Sequence, residues 1–313
     1  MFKSGFVSMV GRTNVGKSTL LNALTGEKVA IATHKPQTTR TAIKAILNND
    51  NYQIVITDTP GIHKPKSKLS ETMLDTSYKM LGESDCVLFL VEAEKINNLN
   101  KLSEEELYKR VVGPGDKLIA ERLQEVKKPV ILVINKIDLV SKEELIKLMQ
   151  AFGVLYNFKA VVPVSSEKKK GLDELLDEIL KVLPEGPKYY SDDEYTDQTA
   201  RQLAEEIIRE KLLKFLQDEV PHGVYVEISK FKYRKTTKKE EIYDIDATIY
   251  CIRESHKGII IGKGGELLKK IGTYARQDIE DMLGTKVNLK LWVKVRENWQ
   301  DDTKLINDKF KLK

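Results

Sequence analysis

Short apolar runs alternate with amphipathic stretches through residues 1–183 of the chain. The apolar runs have the length of buried strands and cover residues 6–10, 53–57, 86–91, 129–134 and 160–163. After them, apolar residues recur with helical periodicity in residues 19–24, 69–81, 117–127, 142–152 and 172–183. Strands that alternate with helices in this way predict a doubly wound α/β domain.

The pattern changes at Pro184-Glu185-Gly186-Pro187, which interrupts the periodicity. We predict a first domain over residues 1–187, a linker over 188–198 and a second domain over 199–313. The second domain is predicted to hold a helix, two strands, a helix-turn-helix and a last strand, over residues 199–217, 224–233, 242–252, 259–283 and 286–295. This αββααβ order predicts a smaller α+β domain that resembles a type II KH domain.

A complete G-x-x-x-x-G-K-S loop lies between the first predicted strand and the helix after it. Its residues are Gly11, Arg12, Thr13, Asn14, Val15, Gly16, Lys17 and Ser18. Glycines let successive backbone N–H groups point at one anion, and the helix adds the positive end of its dipole. The first domain is therefore predicted to be a P-loop NTPase, in which Lys17 contacts the β- and γ-phosphates and Ser18 binds Mg²⁺.

The segment Asn135-Lys136-Ile137-Asp138 is predicted to select guanine. It follows a predicted strand, and ligands bind at the carboxyl ends of strands in doubly wound folds. Asp138 can accept hydrogen bonds from the N1–H and the exocyclic amine of guanine, a pair that adenine lacks. We expect Asn135 to contact the far edge of the ring, Lys136 to lie along it, and the backbone N–H groups of Ser165 and Ser166 to reach guanine O6.

The segment Asp58-Thr59-Pro60-Gly61, with Ile62 after it, is predicted to lie near the metal and the γ-phosphate. Asp58 would hold Mg²⁺ through water, and the Gly61 N–H would contact the γ-phosphate. The polar segment 37–41 is predicted to supply a threonine hydroxyl to Mg²⁺ while GTP is bound, and we favour Thr39 over Thr38. His63 reads as a solvated loop residue.

The order of the motifs GRTNVGKS, QTTRT, DTPGIH and NKID resembles the Era family of bacterial GTPases. Segments 183–187, 206–211, 261–265 and 295–299 also match in family order, so the resemblance covers nearly the whole chain. It implies a KH domain that binds small-subunit ribosomal RNA near its 3′ end. Two segments depart from the family pattern: residues 94–112 are longer and more charged, and Ser166-Glu167 stands where the family generally has Ala-Lys.

Charge is distributed unevenly along the chain. Residues 221–313 contain 20 Lys and Arg against 14 Asp and Glu, whereas residues 1–220 contain 32 against 33. A basic second domain predicts a polyanionic partner. Cys86 and Cys251 lack motif spacing and read as core residues in a reducing cytosol. The chain shows no signal peptide and no apolar stretch of membrane-spanning length, so we expect a cytoplasmic monomer, with peripheral membrane association left open.

The loop Gly262-Lys263-Gly264-Gly265 has the G-x-x-G pattern that clamps the backbone of about four nucleotides in KH domains. We expect Ile259, Ile260 and Ile261 to wall the adjoining groove that receives the bases. The lysines predicted to contact RNA around this loop are Lys257, Lys263, Lys269 and Lys270. A basic cluster on the preceding hairpin extends this surface and comprises Lys230, Lys232, Arg234, Lys235, Lys238 and Lys239.

The residues expected to carry hydrolysis are Lys17, Asn14, Thr39 and Gly61. Ras-like GTPases orient the attacking water with a glutamine at the position of Ile62, and isoleucine cannot do so. Slow intrinsic hydrolysis is therefore expected. In relatives with this loop, the residue at Asn14 helps to bind K⁺, which would supply positive charge; the alternative is that Asn14 only caps the loop.

The sequence thus predicts a GTPase that binds GTP, GDP and Mg²⁺, with K⁺ as a further candidate ligand. Its expected role is in assembly of the small ribosomal subunit and rRNA processing, with a link to cell growth. One alternative is a membrane-associated signalling GTPase that controls the cell cycle through protein effectors. The other is an RNA-binding module whose nucleotide site is only structural.

Overall fold

The computed structural model describes residues 2–33, 35, 38–62, 65–96, 102–235, 237 and 240–310. In the described part of the first unit, one sheet has the strand order β2-β3-β1-β4-β5-β6. Its strands are β1 (Lys3–Gly11), β2 (Ile43–Asn48), β3 (Tyr52–Asp58), β4 (Cys86–Glu92), β5 (Val130–Asn135) and β6 (Ala160–Pro163). All neighbouring pairs are parallel except β2 with β3, which is antiparallel.

Helices cover both faces of this sheet. They are α1 (Lys17–Thr25), α2 (Lys68–Glu83), α3 (Glu104–Val111), α4 (Pro114–Val126), α5 (Lys142–Gly153) and α6 (Leu172–Val182). Neighbouring strand residues point to opposite faces, so Met9 and Leu88 belong to one core and Val10 and Phe89 to the other. The predicted doubly wound α/β fold is confirmed. Strand β2 was not predicted, and the charged segment 94–112 contains α3.

The second unit has the predicted αββααβ order. Its elements are α7 (Ala200–Phe215), β7 (Tyr225–Lys235), β8 (Glu241–Cys251), α8 (Glu254–Ile261), α9 (Glu266–Leu283), β9 (Lys286–Val295) and α10 (Thr303–Lys309). Strand β8 pairs antiparallel with β7 and parallel with β9. The core lies between one sheet face and the helices, with Ile208, Ile249, Ile271 and Ile279 fully buried. Helix α8 begins before the predicted position, and α10 was not predicted.

The segment predicted as a linker, residues 188–198, lies mostly against the edge of the first sheet. The Asn48 side chain donates to the carbonyls of Ser191, Asp192 and Glu194 at 3.0 to 3.3 Å. Backbone pairing adds to this contact, because the N–H of Ile46 donates to the carbonyl of Tyr195 at 3.0 Å. By its contacts, the first unit extends to Asp197 and the second begins at Gln198.

Both cysteines are buried in the described structure, as predicted. Burial raises the pKa of the Cys86 thiol to about 12 and also raises that of Cys251, so both thiols stay protonated at neutral pH. Across the described residues, the helices are too short or too polar to cross a bilayer. Gln37, His63, Lys238 and Lys239, which the sequence analysis named, lie outside the described residues.

Candidate functional site

The glycine-rich loop joins the end of β1 to the start of α1. Gly16 has a φ of 96° and precedes α1 without a side-chain cap, so the first N–H groups of the helix are available to an anion. A Cβ at Gly16 would lie 2.3 Å from Nδ2 of Asn135, which explains the need for glycine. The buried Lys17 ammonium donates to the carbonyls of Gly11 and Arg12 at 3.2 and 3.0 Å, and therefore lies along the inside of the loop.

Three side-chain oxygens converge next to this loop. Oδ2 of Asp58 accepts hydrogen bonds from Oγ of Ser18 at 2.6 Å and from Oγ1 of Thr39 at 3.0 Å. These two hydroxyl oxygens are also 3.0 Å apart. Oδ1 of Asp58 is buried and has no hydrogen-bond partner among the described residues. Such a set of hard oxygen donors with one unsatisfied carboxylate oxygen fits Mg²⁺.

The structure distinguishes between the two candidate threonines. The Thr38 hydroxyl donates to the carbonyl of Lys35 at 2.6 Å and lies 2.7 Å from the hydroxyl of Thr33. It is thus engaged within its own segment. Thr39 is the threonine that lies with Ser18 and Asp58, as the sequence analysis favoured.

Burial dominates the electrostatics of this cluster. Desolvation lowers the pKa of Lys17, and the Asp58 carboxylate opposes that shift. Desolvation likewise raises the pKa of Asp58, with Lys17, Ser18 and Thr39 opposing it. Each charge is costly to bury alone, so the pair gains from the phosphates and the divalent cation that would complete the site.

The residues after Asp58 contact the phosphate loop directly. A Cβ at Gly61 would lie 2.8 Å from Cγ2 of Thr13, and the N–H of Ile62 donates to the carbonyl of Gly11 at 3.3 Å. The Ile62 side chain is only 3% exposed and packs in the core, which agrees with its expected inability to orient water. Thr59 and Pro60 bond inside the protein: the Thr59 hydroxyl donates to Met9 at 2.6 Å, and the Pro60 carbonyl accepts from Ser77 at 3.0 Å.

Asn135 connects the predicted guanine site to the phosphate loop. Its Nδ2 donates to the carbonyl of Val15 at 2.9 Å, and its Oδ1 accepts from the N–H groups of Lys136 and Ser166 at 2.8 and 3.0 Å. The side chain is therefore used to join three loops, and its contact with the far edge of guanine stays a prediction. Lys136 has a φ of 64° and pairs with Glu92, which fixes the turn before Ile137 and Asp138.

Ser165 and Ser166 both form hydrogen bonds within the predicted guanine site. The Ser165 N–H donates to the carbonyl of Lys170 at 3.0 Å, and the Ser166 N–H donates to Asn135. Both N–H groups thus have partners within the protein, and their contact with guanine O6 stays a prediction. The serine hydroxyls instead donate to Asp138 and to Asn135, so these residues orient the two side chains of the base site.

The sequence analysis missed a partner of Arg12. Nε of Arg12 lies 3.1 Å from Oδ1 of Asp116, whose side chain is fully buried. Asp116 also accepts from the N–H of Gly113 at 3.0 Å and so caps the start of α4. A Cβ at Gly115 would lie 3.2 Å from the Arg12 side chain. The segment Gly113-Pro114-Gly115-Asp116 therefore packs closely against Arg12. Its glycines and acid were visible in the sequence, but its partner was not.

The G-x-x-G loop has the backbone that a clamp requires. Gly262, Gly264 and Gly265 have φ values of 74°, 59° and 81°, and Gly265 precedes α9 without a side-chain cap. Lys263 at the tip is exposed. Ile259 is 49% exposed and is available to a base, whereas Ile260 is fully buried, so the prediction that Ile260 walls the groove is wrong.

The basic residues near this loop differ in how freely they could bind RNA. Lys257 pairs with Glu254 at 3.6 Å, and the Lys270 ammonium lies 4.7 Å from the centre of the Phe215 ring. On the hairpin, cations pair with the hairpin's own acids: Lys230 and Arg234 with Asp244, and Lys235 with Glu241. In the described part of the hairpin, three of the four counted cations are therefore paired with acids of the hairpin itself.

Comparisons with known proteins agree with this geometry. Residues 6–136 match the family model described as 50S ribosome-binding GTPase, and residues 219–300 match the KH domain model. GTPase Era of Caldanaerobacter subterraneus subsp. tengcongensis is 52% identical over 305 residues, which cover 97% of this chain and 96% of the relative. GTPase Era of Clostridioides difficile is 51% identical over 309 residues, 98% of each.

Two solved structures match over the chain. Era in complex with MgGDPNP and nucleotides 1506-1542 of 16S ribosomal RNA has a TM-score of 0.90 at 36% identity and covers 100% of both chains. A single-residue variant of Aquifex aeolicus Era bound to GDP.AlF4⁻ has a TM-score of 0.89 at 36% identity, covering 99% of this chain and 100% of that one. Fold and site together define a P-loop GTPase joined to a KH domain. The chain belongs to the Era family of GTPases.

We expect Thr39→Val to weaken binding of a non-hydrolysable GTP analogue in the presence of Mg²⁺ by roughly tenfold or more, because a hydroxyl bonded to a carboxylate is lost. GDP affinity should change little, since Thr39 is expected to act only while GTP is bound. Calorimetric titration measures both. Thr38→Val is the matched control, because its hydroxyl lies outside the oxygen cluster. Equal losses in the two variants would contradict the assignment of Thr39.

We also expect Asp116→Asn to lower the free energy of unfolding by about 1 to 3 kcal/mol, because it leaves Arg12 without its buried counter-charge. Release of a fluorescent GDP analogue should become faster, since the Arg12 backbone also holds Lys17. Urea unfolding and stopped-flow fluorescence measure the two effects. Glu105→Gln makes the same chemical change in an exposed pair with Lys109 and should cost about 0.5 kcal/mol or less. If the two variants have the same stability and the same rate of GDP release, the Arg12–Asp116 pair has no special role.

Proposed function

We propose that this GTPase acts in assembly of the small ribosomal subunit and in rRNA processing, and that its KH domain binds 16S rRNA near the 3′ end. The observation that carries the proposal is the match, over 100% of both chains, to an Era structure that contains MgGDPNP and nucleotides 1506-1542 of 16S ribosomal RNA. The glycine-rich loop at 262–265 supports it, because its backbone can approach phosphates closely.

The nucleotide ligands in this proposal are GTP and GDP with Mg²⁺. When bound, Mg²⁺ neutralises charge on the phosphates. The chain's own residues then have separate tasks. Lys17 and the N–H groups at the start of α1 hold the phosphates, and the oxygens of Ser18, Thr39 and Asp58 would hold the metal. Gly61 would donate its N–H to the γ-phosphate from its position against Thr13.

Nucleotide state is proposed to control RNA binding. Thr39 and Gly61 lie on separate loops that both contact the phosphate loop or its metal ligands. Loss of the γ-phosphate would release both loops, which is a common basis for GTPase switching. The difference in contacts between the two nucleotide states supplies the free energy that a switch needs.

The alternative of a membrane-associated signalling GTPase is less well supported. The signalling alternative does not explain why the chain contains a KH domain, whereas in the RNA proposal the KH domain is the part that binds RNA. We place the activity in the cytoplasm with the ribosome, and peripheral membrane association and a link to cell growth remain additional hypotheses. Failure of the protein to bind the RNA named above would favour the signalling alternative.

Hydrolysis is proposed to depend on K⁺ bound with the help of Asn14. This residue is exposed, with a φ of 68°, inside the phosphate loop. We expect turnover to be roughly tenfold or more faster in K⁺ than in Na⁺, and Asn14→Ala to remove that difference. Phosphate release is measured at saturating GTP, so that a change in the affinity for GTP does not affect the measured rate. Equal rates of the unaltered protein in both salts would exclude the K⁺ hypothesis.

The KH loop is tested by Gly264→Asp. Nothing lies within 4 Å of a Cβ built at this residue, and aspartate tolerates its left-handed backbone. A carboxylate at the clamp should repel the RNA backbone and lower affinity tenfold or more. Gly284→Asp is the matched control, because Gly284 also has a left-handed backbone and free space but lies at the far end of α9.

Binding of labelled RNA with the sequence of the 16S 3′ end is followed by fluorescence anisotropy. The titration is made with a GTP analogue and with GDP. We expect tighter binding in one nucleotide state, and equal affinities would refute the proposed coupling. Equal binding by the Gly264 and Gly284 variants would refute the clamp.

A further inference from the structure

The three-stranded sheet described in the second unit has an outer face, turned away from its helices. Residues paired across a sheet share a face, so register defines which side chains lie together. Lys290 of β9 pairs with Asp246, Trp292 pairs with Thr248, and Lys294 pairs with Tyr250. Their neighbour Leu291 points the other way, because its Cδ1 lies 3.3 Å from a Cβ built at Gly272 of α9.

Trp292 stands out on this face because an indole is 45% exposed in the middle of a strand. The other tryptophan of the chain, Trp299, is fully buried and donates its indole N–H to the carbonyl of Gly223 at 3.0 Å. Lys290 and Lys294 flank Trp292 on the same face, two residues away on each side, or about 6.6 Å along the strand. Both are exposed and form no ion pair with any described residue.

Charge on the outer face is positive after its internal pairs are accounted for. The cations placed there by the register are Lys230, Lys232, Arg234, Lys286, Lys290 and Lys294, and the described acids are Glu227, Asp244 and Asp246. Asp244 forms ion pairs with Lys230 and Arg234, and Lys286 forms an ion pair with Glu240. Three of these cations have no ion pair among the described residues, and two of the three, Lys290 and Lys294, flank Trp292; the third is Lys232, and the acids without an ion pair are Glu227 and Asp246.

We infer that this face is a second RNA-contact surface, in which one unpaired base stacks on Trp292 and the neighbouring phosphates contact Lys290 and Lys294. Aromatic residues on the open face of a sheet bind bases in this way in other RNA-binding domains. The inference rests on the proposed RNA binding but concerns a surface separate from the glycine loop. Strand β9 is the edge of the sheet and packs against α8 and α9, so RNA that leaves the clamp can cross this edge to the outer face.

The test uses the full chain and a labelled single-stranded RNA that is long enough to extend beyond the clamp. We expect Trp292→Leu to raise the dissociation constant at least about fivefold, and Trp292→Phe to raise it less, because phenylalanine can still stack. RNA should quench the tryptophan emission of the unaltered protein. In Trp292→Phe the remaining emission comes from the buried Trp299 and should not respond.

Salt dependence tests the lysines. The double variant Lys290→Gln, Lys294→Gln should lower the slope of log affinity against log salt by about 1.4, the value for two contacts to a single strand. A control double variant, Lys142→Gln, Lys214→Gln, makes the same change of charge at exposed positions on α5 and α7 and should keep the slope.

The outcomes separate this inference from the proposed function. If the chain binds RNA and Gly264→Asp weakens binding, while the Trp292 and Lys290–Lys294 variants match the unaltered protein, the second surface is refuted and the clamp stands. That result would instead favour a protein partner as the ligand of the outer face. If the unaltered chain does not bind the RNA at all, the proposed function and this inference are both overturned.

Discussion

The buried carboxylate of Asp58 is the group on which the proposed switch of the first domain depends. A charge in this position is tolerated only because the Lys17 ammonium and the hydroxyls of Ser18 and Thr39 compensate it. Lys17 and Ser18 are adjacent at the start of α1, Thr39 lies in the segment before β2, and Asp58 itself ends β3. One carboxylate therefore ties together three segments that are distant in sequence, and a ligand that changes its charge balance acts on all three at once.

The position of this cluster could be predicted from the sequence because most of its residues lie at or next to the carboxyl ends of strands. Apolar strand runs locate the carboxyl edge of the sheet, so Ser18, Asp58, Asn135 and Asp138 could be assigned to one place from the sequence alone. What the spacing could not supply was the partner of each polar atom. The Asn135 amide bonds to Val15, 120 residues away, and the Ser166 N–H bonds to Asn135. Such contacts depend on loop geometry that no local pattern encodes.

Short or polar elements were missed for a related reason. Strand β2 has six residues, including Lys44 and Asn48, and α10 has seven, five of which are polar or charged: Thr303, Lys304, Asn307, Asp308 and Lys309. Such elements are formed by tertiary contacts more than by intrinsic preference. The lysines of the second domain show the same limit. Counting them predicted a basic hairpin, yet Asp244 and Glu241 pair with three of its described cations, whereas Lys290 and Lys294 of β9 form no ion pair with a described residue.

The position of β2 gives the proposed coupling a physical route within the first unit. Thr39 lies four residues before β2, whose outer edge is covered by the segment that leads to Asp197. This cover consists of backbone pairing at Ile46, the bonds from Asn48, and an ion pair of Lys44 with Asp197 at 3.8 Å. An edge strand held in this way cannot shift without displacing the chain beside it. A change at Thr39 can therefore reach Asp197, the residue before the second unit, through the short connection to β2 and then through the hydrogen bonds and the ion pair that hold the covering segment on β2.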